Sequence, residues 1–547
     1  MDANAPEQSA VPVAAAPTPV QSLEGRRSSA FVPGSADSRV ARETRGGDLR
    51  RLVARGVLWT GAGTIARQVL QLATSLVLAR LLTPDSFGII GMAMVFVGVA
   101  EIMVDFGLQQ AIVQAPRPRA ALFSSCFWLS GGVGIVAALL LCALAPVIAA
   151  LYQEPQIAAL LPFLGLNLFI ATLSTVPRAL LQREMNFGVL TRLAFVAGLL
   201  GATTGCTIAA LGGGVWSLIG QPLASSLAGT VMTFAACRWR PDFTFSTTDL
   251  SGVIRFGGGV FGAALLNYLN RNADNFLIGF FLGAGALGYY NIAYQMMLLP
   301  LAYVSSSLGT VMYPALVQLQ DDLTRYKRAY LRTCSAIAFV AFPMMAGLFV
   351  VADQFVPVVL GSKWAPATTV LKILCPLGLV QSIATTVGLI YTSTGHTKTL
   401  FLWTLGATPF IVLSFAVGLP WGIEGIAISY SVVFYIVAYV SFRIAFRIIG
   451  LTIGSLLSAL WRPLACALAM AGAVFVLDHV AVAGVLSDLP RLAANVMSGG
   501  LIYLMLSLMI NRHQLNELMQ IGRSAIGAAP DIPEDRRDSG LAPGISR

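Results

Sequence analysis

Charge is what this chain has least of. Asp, Glu, Lys and Arg together make 11% of its 547 residues, where soluble domains carry about 25%. That scarcity excludes a string of soluble domains. With 56% apolar residues and a mean hydropathy of +0.76, it places the chain in lipid. Histidine is nearly absent: His396, His479 and His513 lie far apart, so no metal or catalytic cluster is expected. The cysteines (126, 142, 206, 237, 334, 375 and 466) never fall at CxxC spacing, which excludes a zinc site or a disulfide framework. They read as buried and inert. Walker A, GxSxG and HExxH motifs are all missing, and the longest internal loops have only about twenty residues, too few for a soluble domain with convergent acids and bases. No catalytic residue, metal or cofactor is therefore expected. GAGTIA from Gly61 imitates a dinucleotide fingerprint, but no strand precedes it. Close helix packing through small residues is the better reading, as it is for Gly258 and Gly262 at GxxxG spacing.

What is present is a run of apolar segments between two polar arms. Residues 1–50 are rich in Ala, Pro, Ser and Arg, without the continuous apolar stretch of a signal peptide. They read as a disordered arm, and the tail 512–547 reads the same way. A crossing helix needs about 20 apolar residues. Spans meeting that need fall near 57–82, 88–107, 122–150, 157–177, 191–211, 214–236, 253–282, 288–313, 330–352, 366–392, 399–419, 423–446, 460–480 and 491–511. The predicted fold is all-α: a polytopic membrane protein of about fourteen helices. The net charge of +10 could suggest nucleic acid, but its distribution argues for membrane anchoring. With the amino terminus placed inside, alternate loops hold Arg117 and Arg119; Arg178, Arg183 and Arg192; Arg238, Arg240 and Arg255; Arg325, Lys327, Arg328 and Arg332; Lys398; Arg443, Arg447 and Arg462. The other loops hold only Lys363 and Arg491. Sixteen against two predicts both termini on the cytoplasmic side of a bacterial inner membrane. Arg80 and Lys372, near span ends, are expected to snorkel to the headgroups.

The chain repeats itself at an offset of 200 residues: Leu82 matches Leu282, Gly88 matches Gly288 and Ala93 matches Ala293. A weaker echo pairs GVWSLI at Gly214 with GIEGIAI at Gly422. Six helices separate the copies, and an even number gives both the same orientation. The expected architecture is two parallel six-helix lobes, 51–250 and 251–450, around a central cavity, with 451–511 as two added helices.

Ionisable residues inside a span are costly and mark functional candidates. The seventh span contains NYLNRNADN, in which Asn267, Asn270, Arg271 and Asp274 share one helical face, with Asn275 at its edge. Two hundred residues earlier the first span carries Arg67, Gln71, Thr74 and Ser75. Two equivalent polar stripes would line a cavity between the lobes. Arg271 and Asp274 could instead only pair with one another at i,i+3. Glu101 and Asp105, one turn apart on the second span, could serve ion coupling (H+ or Na+), sit at the interface, or bridge to Arg67.

The runs VLWTGAGTIARQVLQLATSLVLARLLTPDSFGIIGMAMVF, DFGLQQAIVQ and NADNFLIGFFLGAGALGYYNIAYQMMLLPL, the last followed by VMYPALVQLQDD, resemble bacterial polysaccharide exporters of the Wzx flippase type. The likeness is to their exopolysaccharide branch, the colanic acid and teichuronic acid exporters. That family sits in the multidrug/oligosaccharidyl-lipid/polysaccharide exporter superfamily. The resemblance implies alternating-access transfer of undecaprenyl-diphosphate-linked oligosaccharide across the membrane. It also implies a polysaccharide polymerase and glycosyltransferases as partners. A drug or cation antiporter, or a lipid II flippase, would share the fold. A membrane glycosyltransferase would want the soluble domain this chain lacks.

Overall fold

A computed structural model describes residues 46–105, 112, 120–244, 247–300, 306–482 and 487–512. Among them every regular element is a helix, as lipid demands of a backbone that must satisfy its own hydrogen bonds. The chain divides into two units at Arg55. Of the first, only the start of a helix is described, from Gly46, five residues inside the expected arm. The rest of that arm and the tail beyond 512 lie outside the described residues, as do Arg117 and Arg119. All that follows concerns the second unit, Gly56–Arg547.

The first half runs α1 (Gly46–Leu81), α2 (Pro84–Asp105), α3 (Ala120–Tyr152), α4 (Gln156–Leu173), the short α5 (Thr175–Arg183), α6 (Phe187–Ala210) and α7 (Trp216–Ala236). The second opens with α8 (Thr247–Pro300), whose two limbs fold back on each other at Gly283. Gly283 has φ +85, a conformation that costs glycine little and other residues much. There follow α9 (Ser306–Gln318), α10 (Leu323–Phe355), α11 (Ala365–Ala384), α12 (Val387–Ser393), α13 (Thr397–Gly418) and α14 (Gly422–Ile449). Last come α15 (Ile453–Leu477) and α16 (Asp488–Ile510). Ten described stretches are long and apolar enough to cross a membrane. Two of them, Ala264–Leu299 and Thr397–Ile449, each contain a helical hairpin. This is a multi-pass membrane protein.

Some local expectations change. Gly63 does meet a neighbouring helix at Thr191, whereas a side chain at Gly262 would meet nothing among the described residues; the surroundings of Gly61 and Gly258 lie outside them. Five cysteines are buried, whereas Cys206 is half-buried and Cys142 exposed. Arg80 and Lys372 do not simply snorkel. Lys372 forms an ion pair with Asp353 at 2.6 Å, and Arg80 hydrogen-bonds to the carbonyls of Val358 and Val359.

α15 and α16 are fixed to α10 by a polar knot. Asp478, 5% exposed, accepts from Arg491 Nε at 2.7 Å and Nη2 at 2.6 Å. It also accepts from Asn495 Nδ2 at 2.7 Å and from Gln354 Nε2 at 2.8 Å. Each partner comes from a different place: the end of α10, and two turns of α16. The bidentate guanidinium–carboxylate fork gives the knot a fixed geometry.

Candidate functional site

The two repeats meet along a seam between α2 and α8, and the contact is reciprocal. A side chain at Gly88 would strike the backbone carbonyl of Ala284, and one at Gly288 would strike that of Pro84. Positions 84 and 284, like 88 and 288, are equivalent under the repeat. At the centre, a Cβ on Gly285 would lie 2.9 Å from Asp85 Oδ1, again a repeat-related pair. Mutual contact of equivalent surfaces is what a twofold axis produces, and here the axis passes between residues 85 and 285.

Aromatic side chains close the seam on both sides. Trp364, fully buried, packs edge-on against Phe87 of α2 at 5.4 Å and Tyr289 of α8 at 6.1 Å. Its indole N–H donates to the carbonyl of Ala79 at 2.8 Å, and Lys363 Nζ donates to that of Arg80 at 2.8 Å. Tyr152, at the end of α3, sits opposite against Phe96 and Phe276, each at 6.1 Å. Further along, Tyr268 donates to the carbonyl of Met94 at 2.7 Å, and its ring occupies the space that Gly98 leaves beside it. The contacts of the seam run from Pro84 to Gly98.

Beyond the seam lie the predicted polar residues. Arg67 and Gln71 on α1 are exposed, as are Asn267 and Arg271 on the first limb of α8. Asn270 and Asn275 are half-buried. Asp274 parts from the stripe: it is 3% exposed and faces the interior of the second lobe. It accepts from Tyr290 at 3.1 Å and from the Asn275 backbone at 2.8 Å. Tyr294, Tyr430 and Gln381 complete a buried polar cluster around it. Arg271 lies close enough to act on the Asp274 carboxylate, yet the two form no ion pair. The oxygens Asn270 Oδ1 and Gln381 Oε1 are buried without a hydrogen-bond partner among the described residues.

Glu101 and Asp105 are exposed on α2, and neither enters an ion pair among the described residues, so the bridge to Arg67 is not formed. Glu101 lies near Tyr268 instead. The residue that sequence reasoning missed is Arg178. Counted there as a loop charge, it stands on α5 with its guanidinium over α7, where a Cβ on Gly229 would be 3.1 Å from Nη2. Its charge and that of Arg67 act on one another. The break at Ser174, between α4 and α5, was the available signal.

The family model described as polysaccharide biosynthesis protein matches residues 77–369. Among curated proteins the chain is 27% identical over 392 residues to the lipopolysaccharide biosynthesis protein WzxC of Escherichia coli (strain K12), covering 70% of this chain and 79% of that protein. It is 28% identical over 480 residues to the succinoglycan biosynthesis transport protein ExoT of Rhizobium meliloti (strain 1021), covering 87% and 96%. Among solved structures it resembles the lipid II flippase MurJ in an inward closed conformation, with TM-score 0.67 at 16% identity over 84% of this chain and 100% of that one. A multidrug MATE transporter in an inward-facing conformation matches with TM-score 0.55 at 15% identity, over 70% and 94%. The chain belongs to the polysaccharide biosynthesis protein family and has the fold of the multidrug/oligosaccharidyl-lipid/polysaccharide exporter superfamily.

Proposed function

We propose that this protein is a flippase. It moves undecaprenyl-diphosphate-linked oligosaccharide repeat units across the bacterial inner membrane for exopolysaccharide synthesis, by alternating access. The observation that carries the reading is the reciprocal seam with exposed Arg67, Gln71, Asn267 and Arg271 beyond it. One end of the lobe interface is closed, and polar groups remain available beyond the closure.

In this reading the chain crosses fourteen times with both termini in the cytoplasm, the arginine-rich loops supporting that orientation. The sealed end then faces outward and the polar residues face the side where repeat units are assembled. Glycosyltransferases supply the unit and a polymerase consumes it, while the protein itself does no covalent chemistry. Asp274 is the group that takes the coupling ion, H+ or Na+. A carboxylate held in the membrane among tyrosines changes its interactions sharply when it gains or loses a cation.

Deletion of the gene tests the assignment. Secreted polymer should disappear, and lipid-linked repeat units should accumulate on the cytoplasmic leaflet until the gene is restored. Normal polymer with no accumulated intermediate would refute it.

A further inference from the structure

The geometry points to a diphosphate site inside the first lobe, between Arg67 and Arg178, rather than one shared across the lobes by Arg67 and Arg271. This rests on the proposed cargo and adds where its anionic head is held.

Three contacts place the two arginines. On α1, Gly63 meets Thr191, and Leu70 lies 3.7 Å from where a Cβ on Gly198 would be. Residues 63, 67 and 70 share a face, so Arg67 lies along α6 between those contacts. Arg178 approaches the same stretch of α6 from α5. The Cβ position at Gly229 is 3.1 Å from its Nη2 and 3.6 Å from Ala197 Cβ, and Ala197 is the neighbour of Gly198. Both guanidiniums therefore converge on the middle of α6, near enough for their charges to act on each other.

The charge inventory separates this pair from Arg271. Among the described residues neither Arg67 nor Arg178 enters an ion pair, and both are exposed. Arg271 shares its surroundings with Asp274, so its positive charge is partly balanced. Two like charges held together without an ion-pair partner among the described residues lower their mutual repulsion by taking an anion. Two planar forks with five N–H donors each suit a group bearing oxygens on two adjacent phosphorus atoms. Gly229 belongs to the site as well, because any side chain there would crowd the Arg178 guanidinium.

The test is equilibrium binding of radiolabelled undecaprenyl diphosphate, and separately of inorganic pyrophosphate, to the purified full-length protein. Arg67→Ala and Arg178→Ala should each weaken binding of the lipid by about tenfold or more, the worth of a charge-assisted hydrogen bond. Arg178→Lys should recover part of the loss, which a merely structural role would not. Arg271→Ala should change affinity less than either, and Gly229→Leu should weaken binding with both arginines in place. Pyrophosphate competing with the lipid, with the same order of variants, marks the diphosphate itself as the recognised group. Loss confined to the lipid would assign the contacts to its chain and overturn the proposal. Wild-type affinity in Arg178→Ala, or a larger loss in Arg271→Ala, would overturn it too. Binding that follows the expected order in a protein whose deletion leaves polymer secretion intact would sink the export reading and keep the site.

Discussion

The reciprocal seam makes Gly88→Ala a sharp perturbation. The added methyl would overlap the Ala284 carbonyl, a backbone group on a rigid turn, so relief comes only by moving α2 away from α8. Overpacking of this kind costs about 1–3 kcal/mol. Only the closed arrangement bears that cost, so the open population rises by a factor of about 5–150. Leu287, fully buried in the seam, reports it. In a cysteine-free background carrying Leu287→Cys, the labelling rate with a small charged thiol reagent should rise by that factor when Gly88→Ala is added. Gly288→Ala, the twofold-related change, should act in the same direction. A cysteine at Ile337, fully buried in a separate core cluster, controls for general loosening. An unchanged rate at 287, or an equal rise at 337, would refute the idea that this seam is the part that opens.

The other expectations follow from the same geometry. A disulfide between Asp85→Cys and Gly285→Cys, on the twofold axis, should arrest export and release it on reduction; full activity of the crosslinked protein would mean the seam need not part. Asp478→Ala leaves Arg491 without its fork and should lower stability by about 2–4 kcal/mol, below the cost at a fully buried pair because the Arg491 side chain is 25% exposed. A thermal midpoint within a degree of the parent would contradict this. Impermeant thiol reagents applied from outside should label cysteines at Gly285 and Ser487 but not at Arg183 and Arg325; the opposite pattern would invert the proposed orientation. Asp274→Asn can still accept from Tyr290 but cannot hold a charge, so it should reach the membrane normally and abolish ion-dependent export. Export with unaltered ion dependence would remove Asp274 from coupling.

Much of the architecture was legible because lipid imposes simple rules. Long apolar runs must be helices, and the match of Gly88 with Gly288 put the repeat in register, which the structure returns as a mutual contact. The wheel for the seventh span put Asn267, Arg271 and Asp274 on one face. It could not say that the face turns inward along its length, leaving Arg271 exposed and Asp274 buried against Tyr290. Partners from distant segments were beyond reach for the same reason. Arg80 looked like a headgroup anchor until Val358 and Val359 were brought to it. Arg178 looked like an orienting loop charge until the break at Ser174 turned it over α7. Periodicity fixes which side chains look the same way, whereas only the fold decides what they meet.

The two repeats share the glycine at 88 and 288 where they touch and differ where cargo would sit. A contact that two copies make with each other across a pseudo-twofold axis places equivalent positions against each other, so a close approach on one side favours a small residue at the same position on the other. Leu82 and Leu282, Gly88 and Gly288, Ala93 and Ala293 agree. No such condition governs a chamber whose occupant is itself asymmetric. There the equivalent positions diverge: Arg67 faces Asn267 in the alignment, Gln71 faces Arg271, and Thr74 faces Asp274. Thr74 turns back to the Leu70 carbonyl at 2.7 Å, spending its polarity within its own helix, while Asp274 gathers donors from outside its helix. The first lobe thereby keeps an arginine without an ion-pair partner among the described residues, and the second keeps the buried acid. In the proposed cycle an anion on one lobe and a cation on the other are coupled through how the lobes meet, which is where the seam acts.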